Sequence, residues 1–257
     1  MNEKELEQYQ DRLMGLIPPE RIVMVDIPRC SQEVIDAFMN IEGVTPTVSD
    51  VLDSMGIFCG VIPASVLRPV ITGKKIVGPA VTIRYIPESN SVDHGYLYKE
   101  KAKLADRDLY AVAEKGDVPV FDAGGLAEVS VMGGLSTMIA QKWGMAGNIV
   151  DGGVRDLDVM RRLDYAVWSR GQTPITGKYR VEAIEINGPV AIAGVRVNPG
   201  DLIIADDSGV VVVPSNRISE VLDKTLAAAS KEDEVVRLIE QGASVKDLSA
   251  ILPPSKW

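Results

Sequence analysis

The sequence predicts an α/β layered domain with some parallel strand pairing, on three observations. Between residues 76 and 168, β-branched runs alternate with segments of helical spacing, the pattern that lays helices on a sheet. Residues 181–214 (VEAIEINGPVAIAGVRVNPGDLIIADDSGVVVVP) hold short β runs punctuated by Asn-Gly, Pro-Gly and Ser-Gly, which leaves no room for a helix and reads as a meander or barrel-like layer. Residues 217–241 then place Val221, Leu222, Leu226, Val235, Val236 and Ile239 on or near one helical face, suited to covering a sheet or a neighbouring subunit.

Taken in order, residues 2–15 read as an exposed helix broken by Pro18-Pro19, and residues 31–40 as a second helix with Ser31 as its cap. Residues 1–44 are thus an N-terminal helical extension, 45–230 the main domain, and 231–257 the end of the last helix and a tail. TPTVSDVLDSMG (45–56) offers Thr47 or Ser49 as caps, a short helix, and Gly56 as its stop. The β-branched run 76–86 reads as one or two strands, and 88–96 (ESNSVDHGY) as a polar loop. A helix within 101–115 ends near Gly116, and Asp117 to Asp122 follow as a buried strand closed by Ala123-Gly124-Gly125.

Composition narrows the function. With 257 residues, 46% of them apolar, a core is easily buried, and a net charge of −9 argues against a nucleic-acid partner. Cys30 and Cys59 lack metal-ligand spacing and read as reduced, buried thiols. No apolar run reaches the roughly 18 residues of a membrane span, and the charged start MNEKELEQYQDRL is not signal-like, so a soluble cytoplasmic protein without membrane contact is expected. His94 is the lone histidine, which excludes sites that need two imidazoles, and no G-x-S-x-G elbow supports a serine triad. Asp201, Asp206 and Asp207 lack the oxygen alternation of a calcium loop and read as turn acids. Without a Walker loop or a G-x-G-x-x-G after a strand, no nucleotide cofactor is indicated.

The chemistry centres on Gly133-Gly134-Leu135-Ser136 and, twenty residues beyond Gly134, Arg155-Asp156. Residues 135–143 have helical spacing behind a glycine pair, so backbone N–H groups at 134–136 are left free at a helix start, where anions bind. Residues 148–152 (NIVDG) read as a buried strand that presents Arg155 and Asp156 beyond its carboxyl end, the usual place for a site in an open α/β sheet. Arginine supplies a planar fork for a carboxylate and aspartate a hard oxygen for a divalent cation, so the three pieces are suited to a small keto acid held against a metal. Asp122 reads either as a carboxylate near Arg155 or as a turn cap.

With these motifs in place the chain resembles the RraA-like family, which includes class II 4-hydroxy-4-methyl-2-oxoglutarate aldolases and the RNase E regulator RraA. The likeness takes in TPTVSDVLDSMG, GPAVTIRY, DVPVFDAGG, AGNIVDGGVRD, SRGQTP at 169–174 and PGDLIIADDSGVVVVP, roughly residues 45–230. It implies a three-layer swivelling β/β/α domain, assembled as a homotrimer or homohexamer with sites at subunit interfaces. It also implies Asp156 as ligand of Mg²⁺ or Mn²⁺, Arg155 as partner of the enolate and carboxylate, and Gly133, Gly134, Leu135 and Ser136 as the amide cradle. The expected reaction is a metal-dependent cleavage of a 2-oxo acid, by retro-aldol release of pyruvate or by decarboxylation of an oxaloacetate-like acid, with Asp122 or Asp151 positioning the water that shuttles the proton. The family aldolases carry an acid three residues after the motif aspartate; here that position is Val159, and Asp158 stands one residue earlier. The rival expectation from the same resemblance is a non-catalytic trimeric regulator that binds a protein partner.

Overall fold

In the computed structural model, which describes residues 6–251, strands β3 (Ile76–Pro87), β4 (Val118–Met132), β5 (Asn148–Val154) and β6 (Val167–Gln172) run parallel at the centre. Their crossovers carry the short helices α3 (Val92–Leu97) and α4 (Asp106–Val112), then α5 (Gly134–Lys142), then α6 (Leu157–Arg162). β10 (Leu202–Asp206) pairs antiparallel with the first half of β3, and β7 (Val181–Ile186) with its second half. β11 (Gly209–Val213) and β1 (Val61–Pro63) extend the β10 side, while β2 (Arg68–Pro69) pairs with the far side of β6. Since β1 and β2 lie at opposite ends of the strand order yet only residues 64–67 separate them, the sheet must curl until its ends approach.

Alternation along each strand assigns the layers. Ala80, Val118, Val120, Ile149 and Trp168 share one buried cluster with Ile203, Ala205, Val210 and Val212, so the two halves of the sheet pack face to face. The Trp168 indole N–H donates to the Asp206 carbonyl at 2.9 Å across this layer. The hairpin of β8 (Val190–Ile192) and β9 (Val195–Val197) closes the same cluster. The opposite face of β3–β6 buries Val81, Ile83, Phe121, Val150 and Val167 together with Leu109, Ala140 and Met160 of α4, α5 and α6. This is the expected β/β/α stack. On the outside of β10–β11 a further group of helices, α1 (Gln32–Met39), α2 (Val44–Ser54) and α7 (Ile218–Glu240), covers Leu202, Ile204, Val211 and Val213.

Several boundaries differ from the sequence expectation. Of the helix expected at 2–15, residues 2–5 lie outside the described residues; Leu6 is helical and runs into a 3-10 turn, Glu7–Tyr9, followed by an irregular segment. The segment is not exposed throughout: Leu6 and Ile17 are buried, and the fully buried Asp108 carboxylate accepts N–H groups from Met14 at 2.6 Å, from Leu16, and from Ile17 at 3.2 Å. Backbone donors captured by a side chain are unavailable to a helix, which overrides local propensity. Ser31 occupies the cap position of α1 without a side-chain cap bond. Helix α2 starts at Val44 behind a left-handed Gly43, so Thr47 and Ser49 lie inside it rather than capping it. The loop expected at 88–96 contains the start of α3, and His94 sits on it, its ring tilted against that of Tyr98; of the two thiols expected to be buried, Cys30 is half-buried and Cys59 is exposed. β4 continues through Gly124 and Gly125, whose positive φ values of 61° and 77° allow register slips instead of a stop. α7 runs unbroken across residue 230; Val221 is buried near its start, while Val236 and Ile239 are exposed. α8 (Val245–Ile251) follows, and the tail at 252–257 lies outside the described residues.

The Asp108 contacts generate a stability prediction. Asp108→Ala leaves three backbone donors without an acceptor and is expected to cost about 3 kcal/mol in chemical denaturation; a loss below about 0.5 kcal/mol would show that the 14–17 segment is not held this way.

Candidate active site

The site forms where β4 and β5 leave the sheet side by side. β5 is buried at every position, and the Arg155 N–H donates to the Met132 carbonyl at 3.0 Å, which pins one strand exit to the other. From that point β4 enters α5 through Gly133, and β5 enters α6 through Arg155 and Asp156.

The two exits approach so closely that side chains are excluded from one of them. A Cβ on Gly133 would stand 2.8 Å from Asp156 Oδ2 and 3.1 Å from both Cγ and Nε of Arg155; one on Gly134 would meet Val159 Cγ2 at 3.1 Å and Asp156 Cβ at 3.3 Å. Gly133 itself is extended, so contact and not backbone angle requires glycine there. The Gly134 N–H donates to Asp156 Oδ2 at 2.8 Å, which satisfies one donor of the first turn of α5 and leaves those of Leu135 and Ser136 with no acceptor inside the helix. Asp156 is held left-handed, φ 57° and ψ 47°, as the residue before α6. Aspartate tolerates that conformation better than most residues, and a non-glycine residue kept there marks stored strain.

Arg155 and Asp156 are each a little under half exposed, with Arg155 Nε 3.7 Å from Asp156 Oδ2. They overlook a cavity of about 220 Å³ whose lining includes Gly133, Gly134, Leu135 and Ser136 on one side and Asp106 and Arg107 on another. Behind the Arg155–Asp156 ridge a second depression of about 550 Å³ takes in Asp158, Gln172, Thr173 and Pro174. A wider depression of about 780 Å³ beside Val92, Asp93, Tyr96 and Leu97 offers one carboxylate and no cation, and does not suit an anionic ligand.

The structure thus brings Gly133, Gly134, Leu135, Ser136, Arg155 and Asp156 together. It does not bring Asp122 and Asp151 to them. Both acids point to the sheet face opposite α5, because they alternate with Phe121 and Val150, which face the helices. Asp151 is buried against Arg170, with Oδ1 at 2.8 Å from Nε and 2.7 Å from Nη2, and its Oδ2 accepts the Ala193 N–H at 2.7 Å. Asp122 accepts N–H groups from Gly124 at 3.0 Å and Ala191 at 3.3 Å and lies 4.0 Å from Arg84. They fasten the β8–β9 hairpin and the Gly124 turn, so neither is placed to position a water at Arg155. His94 stands away from the cavity, its Nδ1 3.2 Å from Glu100 Oε1 but misaligned for a hydrogen bond.

Two charged residues of the cavity lining were not marked by the sequence. Asp106 and Arg107 open α4; Arg107 adds a second guanidinium to the lining, and Asp106 is buried, with its pKa raised chiefly by burial and partly offset by a hydrogen bond from Ser136. Among the described residues no group of three or more His, Cys, Asp and Glu side chains is arranged to hold a metal, and Val159 packs on the glycine cradle while Asp158 faces the neighbouring depression.

The sequence model of the RraA-like family, described as Aldolase/RraA, matches residues 45–212. The chain is 33% identical over 230 residues to protein DlpA of Legionella pneumophila; the match covers 89% of this chain but only 35% of that protein. It is 29% identical over 210 residues to a Halalkalibacterium halodurans protein named "Putative 4-hydroxy-4-methyl-2-oxoglutarate aldolase", covering 81% of this chain and 91% of that one. The crystal structure of Streptomyces coelicolor RraAS2, described as an unusual member of the RNase ES inhibitor RraA protein family, has a TM-score of 0.67 at 26% identity, over 81% of this chain and 98% of that one.

Asp156 carries both a bond and strain, and two substitutions separate them. Asp156→Ala loses the bond to α5 and keeps the left-handed strain, whereas Asp156→Gly loses the bond and relieves the strain. Glycine is expected to be the more stable variant by roughly 1 kcal/mol in urea denaturation; the reverse order would show that residue 156 is not held left-handed in solution.

Proposed function

The chain belongs to the RraA-like family, and from that membership together with the site geometry we propose that it is a divalent-metal-dependent carbon–carbon lyase acting on a 2-oxo acid. The reaction is either retro-aldol cleavage of a 4-hydroxy-2-oxo acid to pyruvate or decarboxylation of an oxaloacetate-like acid. Both pass through a pyruvate enolate. The observation that carries the reading is the glycine cradle beneath Arg155 and Asp156, facing a cavity of small-molecule size.

Within that cavity the N–H groups of Leu135 and Ser136, at the positive end of α5, suit the substrate carboxylate. The Arg155 guanidinium suits the 2-keto oxygen, where negative charge grows as the bond breaks. No lysine lines the cavity among the described residues, so a Schiff-base route has no nucleophile there. Of the two carboxylates that line the cavity among the described residues, Asp156 is the exposed one and suits a cation, with Oδ1 free of the Gly134 bond. That donor set suits Mg²⁺ or Mn²⁺, since Mg²⁺ keeps several waters and takes one or two carboxylates, with substrate oxygens completing the shell. Bound there, the cation supplies positive charge to the developing enolate. Assembly as a homotrimer or homohexamer is part of the proposal: Leu135 and Met138 beside the cavity, and Val236 and Ile239 on α7, are exposed apolar side chains for such contacts to cover.

One observation favours a second reading. Val159 stands where the family aldolases carry an acid, and a single carboxylate is a sparse metal shell. On that reading the chain is a regulator that binds a protein partner and performs no chemistry.

Pyruvate release from a panel of 4-hydroxy-2-oxo acids and oxaloacetate separates the two. Turnover dependent on Mg²⁺ or Mn²⁺ and abolished by excess EDTA is expected; no release from any member of the panel, with metal present, favours the regulator. Arg155→Ala is expected to lower kcat/KM by about 10²- to 10³-fold, and Arg155→Lys to recover little of it, because a point charge does not reproduce the planar fork. Near-normal turnover in the lysine variant would reduce Arg155 to background charge. Light scattering at micromolar concentration should give the mass of three or six chains, and a monomer would count against shared sites.

A further inference from the structure

We propose that the carboxyl group of Asp106 is the proton carrier of the site, taking the proton from the substrate's C4 hydroxyl as the carbon–carbon bond breaks and returning it to C3 of the enolate. The proposal rests on the 2-oxo-acid lyase reading above. Asp106 lines the cavity that holds Arg155 and the α5 amides, yet it is only 3% exposed and forms no ion pair within 4 Å among the described residues. An acid in the first turn of a helix is ordinary. What is not ordinary is the string of buried hydroxyls aimed at it.

The Ser136 hydroxyl bonds the Asp106 carboxyl. Ser136 Oγ lies 2.9 Å from Tyr110 OH, Asn148 Nδ2 lies 3.2 Å from Tyr110 OH, and Tyr165 OH lies 2.6 Å from Asn148 Oδ1. Each hydroxyl has one proton to give, so the direction is forced. Asp106 accepts from Ser136; Ser136 therefore accepts from Tyr110, Tyr110 from the Asn148 amide, and the Asn148 oxygen from Tyr165. Four residues on four elements thus commit their donors in one sense, and the sense ends on Asp106. Ser136 consequently offers a substrate its backbone N–H and not its hydroxyl proton.

The Asp106 carboxyl accepts in addition from its own N–H and that of Arg107, and its side chain forms part of the cavity wall. The charged and titratable groups around Asp106 are Arg107 on its own helix, Tyr85 on β3, Tyr110, and Arg155 and Asp156 across the cavity. The Tyr85 hydroxyl is buried and unpartnered among the described residues, and Asp106 is the first charge that disturbs it. Burial makes the Asp106 carboxylate a stronger base than a solvated one, as a group that must lift a hydroxyl proton requires.

The step balances within the site. The Asp106 carboxylate accepts the C4 hydroxyl proton; the C3–C4 bonding pair passes to C3 as the pyruvate enolate, and C4 leaves as a carbonyl. Asp106 then gives the same proton to C3, completing the pyruvate methyl group and returning to the carboxylate form. No oxidant, reductant or further co-reactant is consumed.

The test is the exchange of pyruvate methyl protons in D₂O with Mg²⁺ present, followed by proton NMR, alongside titration with oxalate as a planar mimic of the enolate. Asp106→Asn keeps an acceptor for Ser136 but cannot carry the proton, so exchange should fall about 100-fold or more with oxalate affinity within a few-fold of wild type. Exchange near the wild-type rate, or a parallel loss of oxalate binding, would overturn the assignment. Tyr110→Phe provides an arm that leaves the carboxyl in place. Without the Tyr110 donor the Ser136 bond weakens, the Asp106 pKa rises, and the acid limb of the exchange profile should move to higher pH; an unmoved limb overturns the proposal even if Asp106→Asn fails to fold. Absence of exchange in the wild-type protein would overturn this proposal and the lyase reading together, whereas wild-type exchange that survives Asp106→Asn overturns this proposal alone.

Discussion

The contact on which the site depends is the bond from the Gly134 N–H to Asp156 Oδ2, made across two strand exits that the Arg155 N–H to Met132 carbonyl bond has already drawn together. At that separation no side chain fits at residue 133 or 134 without displacing Asp156, Arg155 or Val159. The same carboxylate thus caps α5, borders the cavity, and is the oxygen donor of the proposed cation site. Its left-handed backbone is part of the arrangement, because a residue in the right-handed region would start α6 along another direction and carry the carboxylate off the glycine.

Around this contact, buried acids hold elements in place rather than reacting. Asp108 gathers the N-terminal segment onto α4, and Asp151 with Arg170 anchors the β8–β9 hairpin to β5. Asp117, also buried, accepts from Arg29 Nε at 3.0 Å and Nη2 at 2.8 Å, which fastens the segment before α1 to the start of β4. In each case several donors converge on one carboxylate, the condition under which burying a charge is tolerable. Asp106 is different in its place: it accepts from Ser136 and from the N–H groups of its own first turn, its pKa is still raised by burial, and it lines the cavity.

That difference explains which parts of the molecule were legible in the sequence. The layered fold was legible because periodicity reports burial directly: Val81, Ile83, Val150 and Val167 belong to the face that carries the helices. The cradle was legible because glycine pairs and an Arg-Asp pair stand at strand exits, where chain direction alone makes them neighbours. Asp122 and Asp151 were placed in the site by their distance along the chain from it, although the alternation of Val150 and Asp151 already sent the acid to the other face. Gly124-Gly125 read as a strand end because a slip in register needs the same residues as a stop. Asp106 could not be read at all, since its meaning comes from Ser136, thirty residues away, and no local pattern announces a hydroxyl string assembled across α4, α5, β5 and the turn before β6.

The contest between enzyme and regulator then turns on what the molecule maintains at a cost. A surface that only binds a protein partner has no use for two guanidiniums, an unsatisfied helix start and a strained aspartate around a cavity of about 220 Å³. It has still less use for a carboxyl whose burial disfavours its charged form and whose bond from Ser136 only partly compensates. Such groups weaken a fold unless something bound repays them, and they are found where charge develops during a reaction. Val159 does not cancel this. It removes an oxygen from the neighbourhood of Asp156 but packs its methyl group against Gly134, which keeps the cradle dense and its amide directed at the carboxylate. On the proposed lyase reading, a thin metal shell would lower metal affinity first and would leave in place the groups proposed to stabilise an enolate and move its proton.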